Sequence, residues 1–226
     1  MYGDYSTGMH QYVMPFMYGV GVSPYENISA SSVDQAQNAD LVLMFGNSPA
    51  DNRMGGANVV WDYNTVREAG PEIIHIDYRL NETAAGYPSE WLPIRTGTDA
   101  ALVAGIAHEL ITNDWVDLDF LHKYCVGYDE ETMPASAKGQ NKSYHDYIMG
   151  LGYDKVEKTP EWAAEITLVP AEKIRELAAK IHDAKAVFVV QGWGLQRHSN
   201  GESATRAVCM LALLTGNLGK PGTNSG

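Results

Sequence analysis

Three short, almost uninterrupted apolar runs constrain this chain more than any other feature: Leu41-Val42-Leu43-Met44-Phe45, Ile73-Ile74-His75-Ile76-Asp77 and Ala186-Val187-Phe188-Val189-Val190. Without alternation of polar and apolar residues, such runs suit strands covered on both faces, the situation of a parallel sheet between helices. A helical stretch from about Gly56 to Ala69 joins the first two runs. Strand, helix and strand in that order form a βαβ unit with a right-handed crossover. The expected fold class is therefore α/β: a Rossmann-like, doubly wound, mostly parallel sheet with helices on both faces.

Other segments fit around this frame. Leu92-Pro93-Ile94 reads as a short extended piece, and Thr98-Asp99 as the cap of a helix with Leu102, Ile106 and Leu110 on one face. Trp115 to Tyr124 reads as helical, and Gly127 to Lys158 as an inserted irregular segment. Helices are expected from Thr159-Pro160, from Pro170 with an Ile174, Leu177, Ala178 and Ile181 stripe, and from Glu202 to Leu214 before Gly216. The first 30 residues read as a long ordered loop, rich in Gly, Tyr, Met and Ser.

Composition excludes several functions. The 226 residues carry 16 Lys+Arg against 28 Asp+Glu, a net charge of -12, which disfavours nucleic acid as a partner. No apolar run approaches the roughly 20 residues of a membrane-spanning helix, so the chain as given is expected to be soluble. Cys125 and Cys209 sit among apolar or aromatic neighbours and read as buried structural thiols. The seven histidines show no HxH or HExxH spacing, and there is no GxSxG elbow or Walker loop.

Chemistry in an open parallel sheet belongs at the carboxyl ends of the strands. After the first run, Gly46 to Gly56 supplies close backbone approach, the Asn47 amide and the fixed cation of Arg53, a set suited to pyrophosphate although not a GxGxxG fingerprint. After the second, Asp77-Tyr78-Arg79 offers a carboxylate to a ribose diol or guanine edge. Gly97-Thr98-Asp99 opens a helix, where amides favour an anion, although Asp99 serves equally as a cap. After the third, Gly192 to Gly201 gathers Trp193, Gln196, Arg197 and His198; Gln196 and Trp193 read as cofactor contacts, and His198 alone reads as a surface or core residue. Thr215 to Gly226 is a further glycine-rich loop with no element after it, so the chain reads as cut.

Taken as a set, GDYSTG at Gly3 to Gly8, FGNSPADNRMGG at Phe45 to Gly56, HIDYRLNETAAGYPSEWLPIRTGTDAAL at His75 to Leu102, FLHKYCVGYDE at Phe120 to Glu130, QGWGLQRHSNGE at Gln191 to Glu202 and the closing LTGNLGKPGTNSG resemble the molybdopterin oxidoreductase family, most of all its anaerobic dimethyl sulfoxide reductase branch. The resemblance implies molybdenum held between two molybdopterin guanine dinucleotides. It implies Ser6 as the side chain completing the metal shell, with Asp4 and Thr7 close by. It also implies Gly46 as a cofactor contact, Asn47 to Arg53 facing phosphates and pterin, Asp77 and Arg79 facing guanosine, Gly97, Thr98 and Asp99 completing the nucleotide site, and Gly192, Trp193 and Gln196 lying towards the metal end, Trp193 walling the substrate funnel. Tyr78 and Thr96 stand where the family commonly has proline.

On this resemblance, residues 1-32 form a loop near the metal centre and 33-226 the cofactor-binding domain of a longer catalytic subunit. The activity implied is reduction of an S-oxide or N-oxide by oxygen-atom transfer. An iron-sulfur cluster would lie in an N-terminal region not in this chain, with an iron-sulfur electron-transfer subunit and a membrane anchor subunit as partners. The 226 residues alone are expected to be inactive and without cofactor. Family members are often exported and membrane-associated through partners. The alternatives are a nucleotide-binding module without a redox role, or a nitrate, formate or polysulfide branch of the same family.

Overall fold

The computed structural model describes residues 13, 15–18, 32–52, 59–86 and 89–224. Four strands, β1 (Leu41–Phe45), β2 (Glu72–Asp77), β3 (Glu90–Pro93) and β4 (Val187–Gln191), form one parallel sheet in the order β3-β2-β1-β4. β1 lies at its centre, with Leu41 opposite Glu72 on one side and Val187 on the other. All five of its residues are buried, as its unbroken apolar run requires.

Alternate side chains of the sheet serve two cores. Leu41, Leu43, Phe45, Ile74 and Ile76 face a large cluster built with α3 (Asp99–Thr112), α6 (Pro160–Thr167), α7 (Ala171–Asp183) and α8 (Gly201–Leu214). Val42, Met44, Ile73 and Phe188 face a smaller one closed by Tyr63 and Val66 of α1 (Val59–Ala69) and by the 3-10 turn Val33–Asn38. Helices thus cover both faces, and the strand order reverses between β1 and β4.

Several expectations are corrected. The extended piece at Leu92 is a full edge strand pairing with Ile74 to Asp77, with Pro93 at an edge where its missing N–H is harmless. α3 is buried almost all round, because the sheet lies on one side and α6 to α8 on the others. A methyl group on Gly105 would stand 2.7 Å from the Ala163 side chain, so the close crossing of α3 and α6 needs a glycine there. Thr98 is the residue before α3, but its hydroxyl donates to the Arg95 carbonyl at 2.7 Å rather than capping the helix. Trp115 to Asp117 precede α4 (Leu118–Tyr124), whose cap is Asp117, accepting from Phe120 N at 2.9 Å. Trp115 instead stacks on His182. Val13 and Pro15 to Tyr18 are helical where a loop was expected.

The segment from Gly127 to Lys158 is irregular apart from α5 (Tyr144–Ile148), which Ser143 and Asp146 close with a capping box. Its anchor is Lys158, 1% exposed, whose ammonium is 2.7 Å from Asp154 and lies over the rings of Tyr147 and Trp162. α2 (Glu82–Ala85) is a single turn after β2. The closing loop turns back along the free edge of β4. Asn217 accepts from Val187 N at 3.0 Å, and the Asn224 amide exchanges two hydrogen bonds with Val189. These side chains satisfy a strand edge that would otherwise stand open.

Candidate functional site

At the switch between β1 and β4 the two chains leaving the sheet run against each other. Gly46 turns out of β1 with φ +51, its N–H donating to Ile76 O at 2.9 Å, while Gly192 N donates to Phe45 O at 2.8 Å. A side chain on Gly192 would collide with the Gly46 carbonyl and lie 2.9 Å from Asn47 Cα. Glycine there lets the two strand-end loops touch backbone to backbone. Asn47 follows, its Oδ1 accepting from Tyr63 OH at 3.4 Å. Beyond Gly192 a 3-10 turn, Trp193–Gln196, buries Gln196 completely, its Nε2 donating to Trp193 O at 3.1 Å. Trp193 is half-buried, with the Arg197 guanidinium 5.8 Å from its ring centre.

A second group converges beside this one. Asp77 ends β2 with its carboxylate held by Asn81 Nδ2 at 2.8 Å and Arg79 N at 3.3 Å. Asn81 is fully buried and also caps α2 by accepting from Ala84 N. Asp99, 5% exposed at the first position of α3, has its carboxyl pushed up to about 6 by burial; Asp77 adds to this and His198 opposes it. Carboxylates at the β2 end and at the start of α3 can accept from a ligand that brings N–H or O–H donors. His198 comes from the β4 loop, and its ring lies 3.7 Å from where a Gly97 side chain would begin. Its Nδ1 must donate to Ser199 O, 2.7 Å away, since a carbonyl only accepts, so in the neutral ring Nε2 is an acceptor. Nε2 is buried without a partner among the described residues.

Arg79, expected to face guanosine, stands two residues after Asp77, its N–H donating to that carboxylate. It pairs with Asp51 at 2.8 Å and Glu82 at 3.5 Å, tying the β1 loop to the β2 loop. Asp51 is in turn held by Ser48 Oγ, which also meets Thr83 Oγ1 at 3.0 Å. The structure thus brings together Gly46, Asn47, Gly192 and Gln196, and beside them Asp77, Gly97, Thr98 and Asp99. Ser6 and Arg53 lie outside the described residues. His198 and Asn81 were not among the expected site residues. His198 stood in the same glycine-rich run as Gln196, and Asn81 three residues before Ala84 had the spacing of a cap.

Cys125 is half-buried and Cys209 buried, burial pushing both thiols up, as structural cysteines require. Among the described residues no group of three His, Cys, Asp or Glu could hold a metal, and no helix is long and apolar enough to cross a membrane.

Comparison with known proteins follows the same lines. The chain is 51% identical over its whole length to the probable dimethyl sulfoxide reductase chain YnfF of Escherichia coli, covering 27% of that protein, and 50% identical to the dimethyl sulfoxide reductase DmsA of the same organism, again over 27%. It is 33% identical to a trimethylamine-N-oxide reductase of Haemophilus influenzae, with 99% of this chain and 26% of that protein aligned. The chain therefore spans about a quarter of the length of these curated relatives. Among solved structures, acetylene hydratase from Pelobacter acetylenicus shares the fold, with a TM-score of 0.61 and 23% identity over 85% of this chain and 24% of that one. The family model described as molybdopterin oxidoreductase matches residues 2–226, and the chain belongs to that family.

Proposed function

We propose that this chain is the cofactor-holding domain of a molybdenum enzyme that reduces S-oxides or N-oxides. Family membership implies a molybdenum–pterin cofactor; the bis(molybdopterin guanine dinucleotide) form is part of this reading. The observation that carries it is the approach of the β1, β2 and β4 loops and the start of α3 to one another at the topological switch point. The residues there fit the group. Glycines at 46 and 192 allow an elongated ligand to approach the backbone, and the Asp77–Asp99 end offers acceptors to the amino and hydroxyl donors of a nucleoside. His198 Nε2, a buried acceptor with no partner among the described residues, awaits a donor.

When bound, the molybdenum centre supplies two-electron oxygen-atom transfer. The chain's own part is to bind, orient and shield. Asp77 and Asp99 would hold the guanosine end, Asn47, Arg53 and the helix amides at Gly97-Thr98 the phosphates, and Gly192, Gln196 and Trp193 the pterin and substrate side. Arg79 would steady the two loops through Asp51 and Glu82. On this reading residues 1-32 form the loop near the metal, with Ser6 as its ligand, and 33-226 the dinucleotide-binding domain. The iron-sulfur cluster, the iron-sulfur electron-transfer subunit and the membrane anchor subunit belong to the intact enzyme. That dimethyl sulfoxide and trimethylamine-N-oxide reductases are among the relatives supports the substrate class.

The test is Ser6→Ala in the intact enzyme. It is expected to abolish S-oxide reduction and alter the molybdenum spectrum with the fold intact. An unchanged spectrum with full S-oxide reduction refutes Ser6 as ligand.

A further inference from the structure

Resting on the reading of this chain as one domain of a longer subunit, we propose that an aromatic groove bordered by α4, α5 and α8 is the docking site for a segment of the same polypeptide outside these 226 residues, one that presents an apolar side chain next to Asp or Glu. The groove is a cavity of about 1260 Å³, and none of the strand-end residues described above lines it. It is therefore separate from the proposed cofactor site. Small ligands occupy pockets of roughly 300–1,000 Å³, so the volume suits a stretch of chain better. Its aromatic walls are held in place by contacts of their own. Phe120 and Tyr124 of α4 form one ring pair, with centroids 5.1 Å apart. Tyr147 of α5 stacks on Tyr153 at 6.2 Å with the planes 12° apart, and the buried Lys158 ammonium lies over the Tyr147 ring at 4.5 Å.

These walls are nevertheless uncovered. Tyr153 is 87% and Val126 80% exposed, and Tyr124 and Leu151 beside them are exposed as well. Apolar side chains gathered in one exposed patch mark an interaction surface, and tyrosine is enriched at the centres of such surfaces. Charge indicates the chemistry of the occupant. The lining includes Lys142, Lys155 and Arg206 and, among the described residues, no Asp or Glu, although the chain as a whole carries a net charge of -12. No carboxylate among the described residues pairs with any of the three. A segment with a carboxylate beside an apolar side chain meets both the rings and the cations. The length of the relatives indicates its source: this chain covers only 27% of DmsA, so most of that polypeptide lies outside the matched part. A tethered segment reaches a groove at an effective concentration near millimolar, an advantage that a free partner of equal affinity lacks.

The test uses the intact enzyme with photoreactive benzoylphenylalanine in place of Tyr153 or, separately, of Val126, two exposed positions that tolerate a larger side chain. On illumination both probes should crosslink to the same segment outside the 226 residues, within one polypeptide and with no dimer on a denaturing gel. Mass spectrometry should find Asp or Glu in the crosslinked peptide. Reversing two rim charges with Lys155→Glu and Arg206→Glu should cut the crosslink yield by about ten-fold, whereas Lys155→Arg should leave it unchanged. Crosslinks to another subunit or to a second copy, or no crosslink at all, overturn the proposal. A yield indifferent to the charge reversal overturns the acidic character of the occupant. A mature protein of only 226 residues by mass refutes the longer subunit itself, and the docking proposal with it; a longer protein whose probes crosslink elsewhere refutes the docking proposal alone.

Discussion

Two buried groups are expected to make stability respond to acid in opposite directions. His75, 1% exposed on β2, has neither ring nitrogen partnered among the described residues; burial, assisted by the Arg67 charge, brings its pKa down from 6.5 to about 4. Between those values the unfolded chain binds the extra proton, so this group's contribution is complete above pH 6.5 and is lost as pH falls towards 4. Asp99 has its pKa raised from 3.8 to about 6, so the folded chain binds the extra proton in that interval. Its contribution is present below about pH 4 and is lost as pH rises through 6. At 1.36 kcal/mol per pKa unit, each effect between pH 7 and pH 4 comes to about 2 to 3 kcal/mol, and they nearly cancel in the parent chain. His75→Leu removes the first and Asp99→Asn the second. Urea denaturation at pH 7 and pH 4 should show His75→Leu gaining about 3 kcal/mol relative to the parent on acidification, and Asp99→Asn losing about 2 kcal/mol. Comparing each variant with the parent removes the titrations common to both. Parallel pH profiles for all three proteins would refute the reasoning.

Other consequences follow from particular contacts. Gly192→Ala forces a methyl group into the Gly46 carbonyl and should lower stability by about 1–3 kcal/mol, read as a fall in Tm, whereas Gly194→Ala, with 3.4 Å to the same oxygen, should be close to neutral. Asn217→Ala leaves the buried Val187 N–H without its acceptor and should cost about 1–3 kcal/mol in chemical denaturation. Asp154→Asn weakens the pairing of the buried Lys158 ammonium and should destabilise by more than about 1 kcal/mol, with part of the loss recovered in the double variant with Lys158→Met.

The two-faced burial of β1 and β2 was legible because unbroken apolar runs have few other uses, and Thr159-Pro160 announced α6 through cap and first-turn chemistry. β3 was harder to read, since Glu90 and Trp91 are half-buried at a sheet edge and only Leu92 is fully covered. The encirclement of α3 was also hidden: its sequence shows one face, but the number of elements packed around it is a tertiary fact. The strand-end loops were visible as polar, glycine-bearing runs. Which glycine was sterically required, and that His198 would meet Gly97 near Asp99, depended on distances between loops far apart in the chain. The pairing of Arg79 with Asp51 was not legible, because Asp51, 28 residues earlier in the chain, is brought to it only by folding.

The account is tested most directly by the molybdenum and guanylate contents of the intact enzyme and of its Gly192→Ala variant, each verified as folded by circular dichroism. The proposed bis(molybdopterin guanine dinucleotide) form predicts two guanylates per molybdenum in the parent, and the role given to the strand-end loops predicts a large loss of molybdenum and guanylate when Gly192 can no longer lie against Gly46. Full cofactor content in a folded Gly192→Ala enzyme would contradict it.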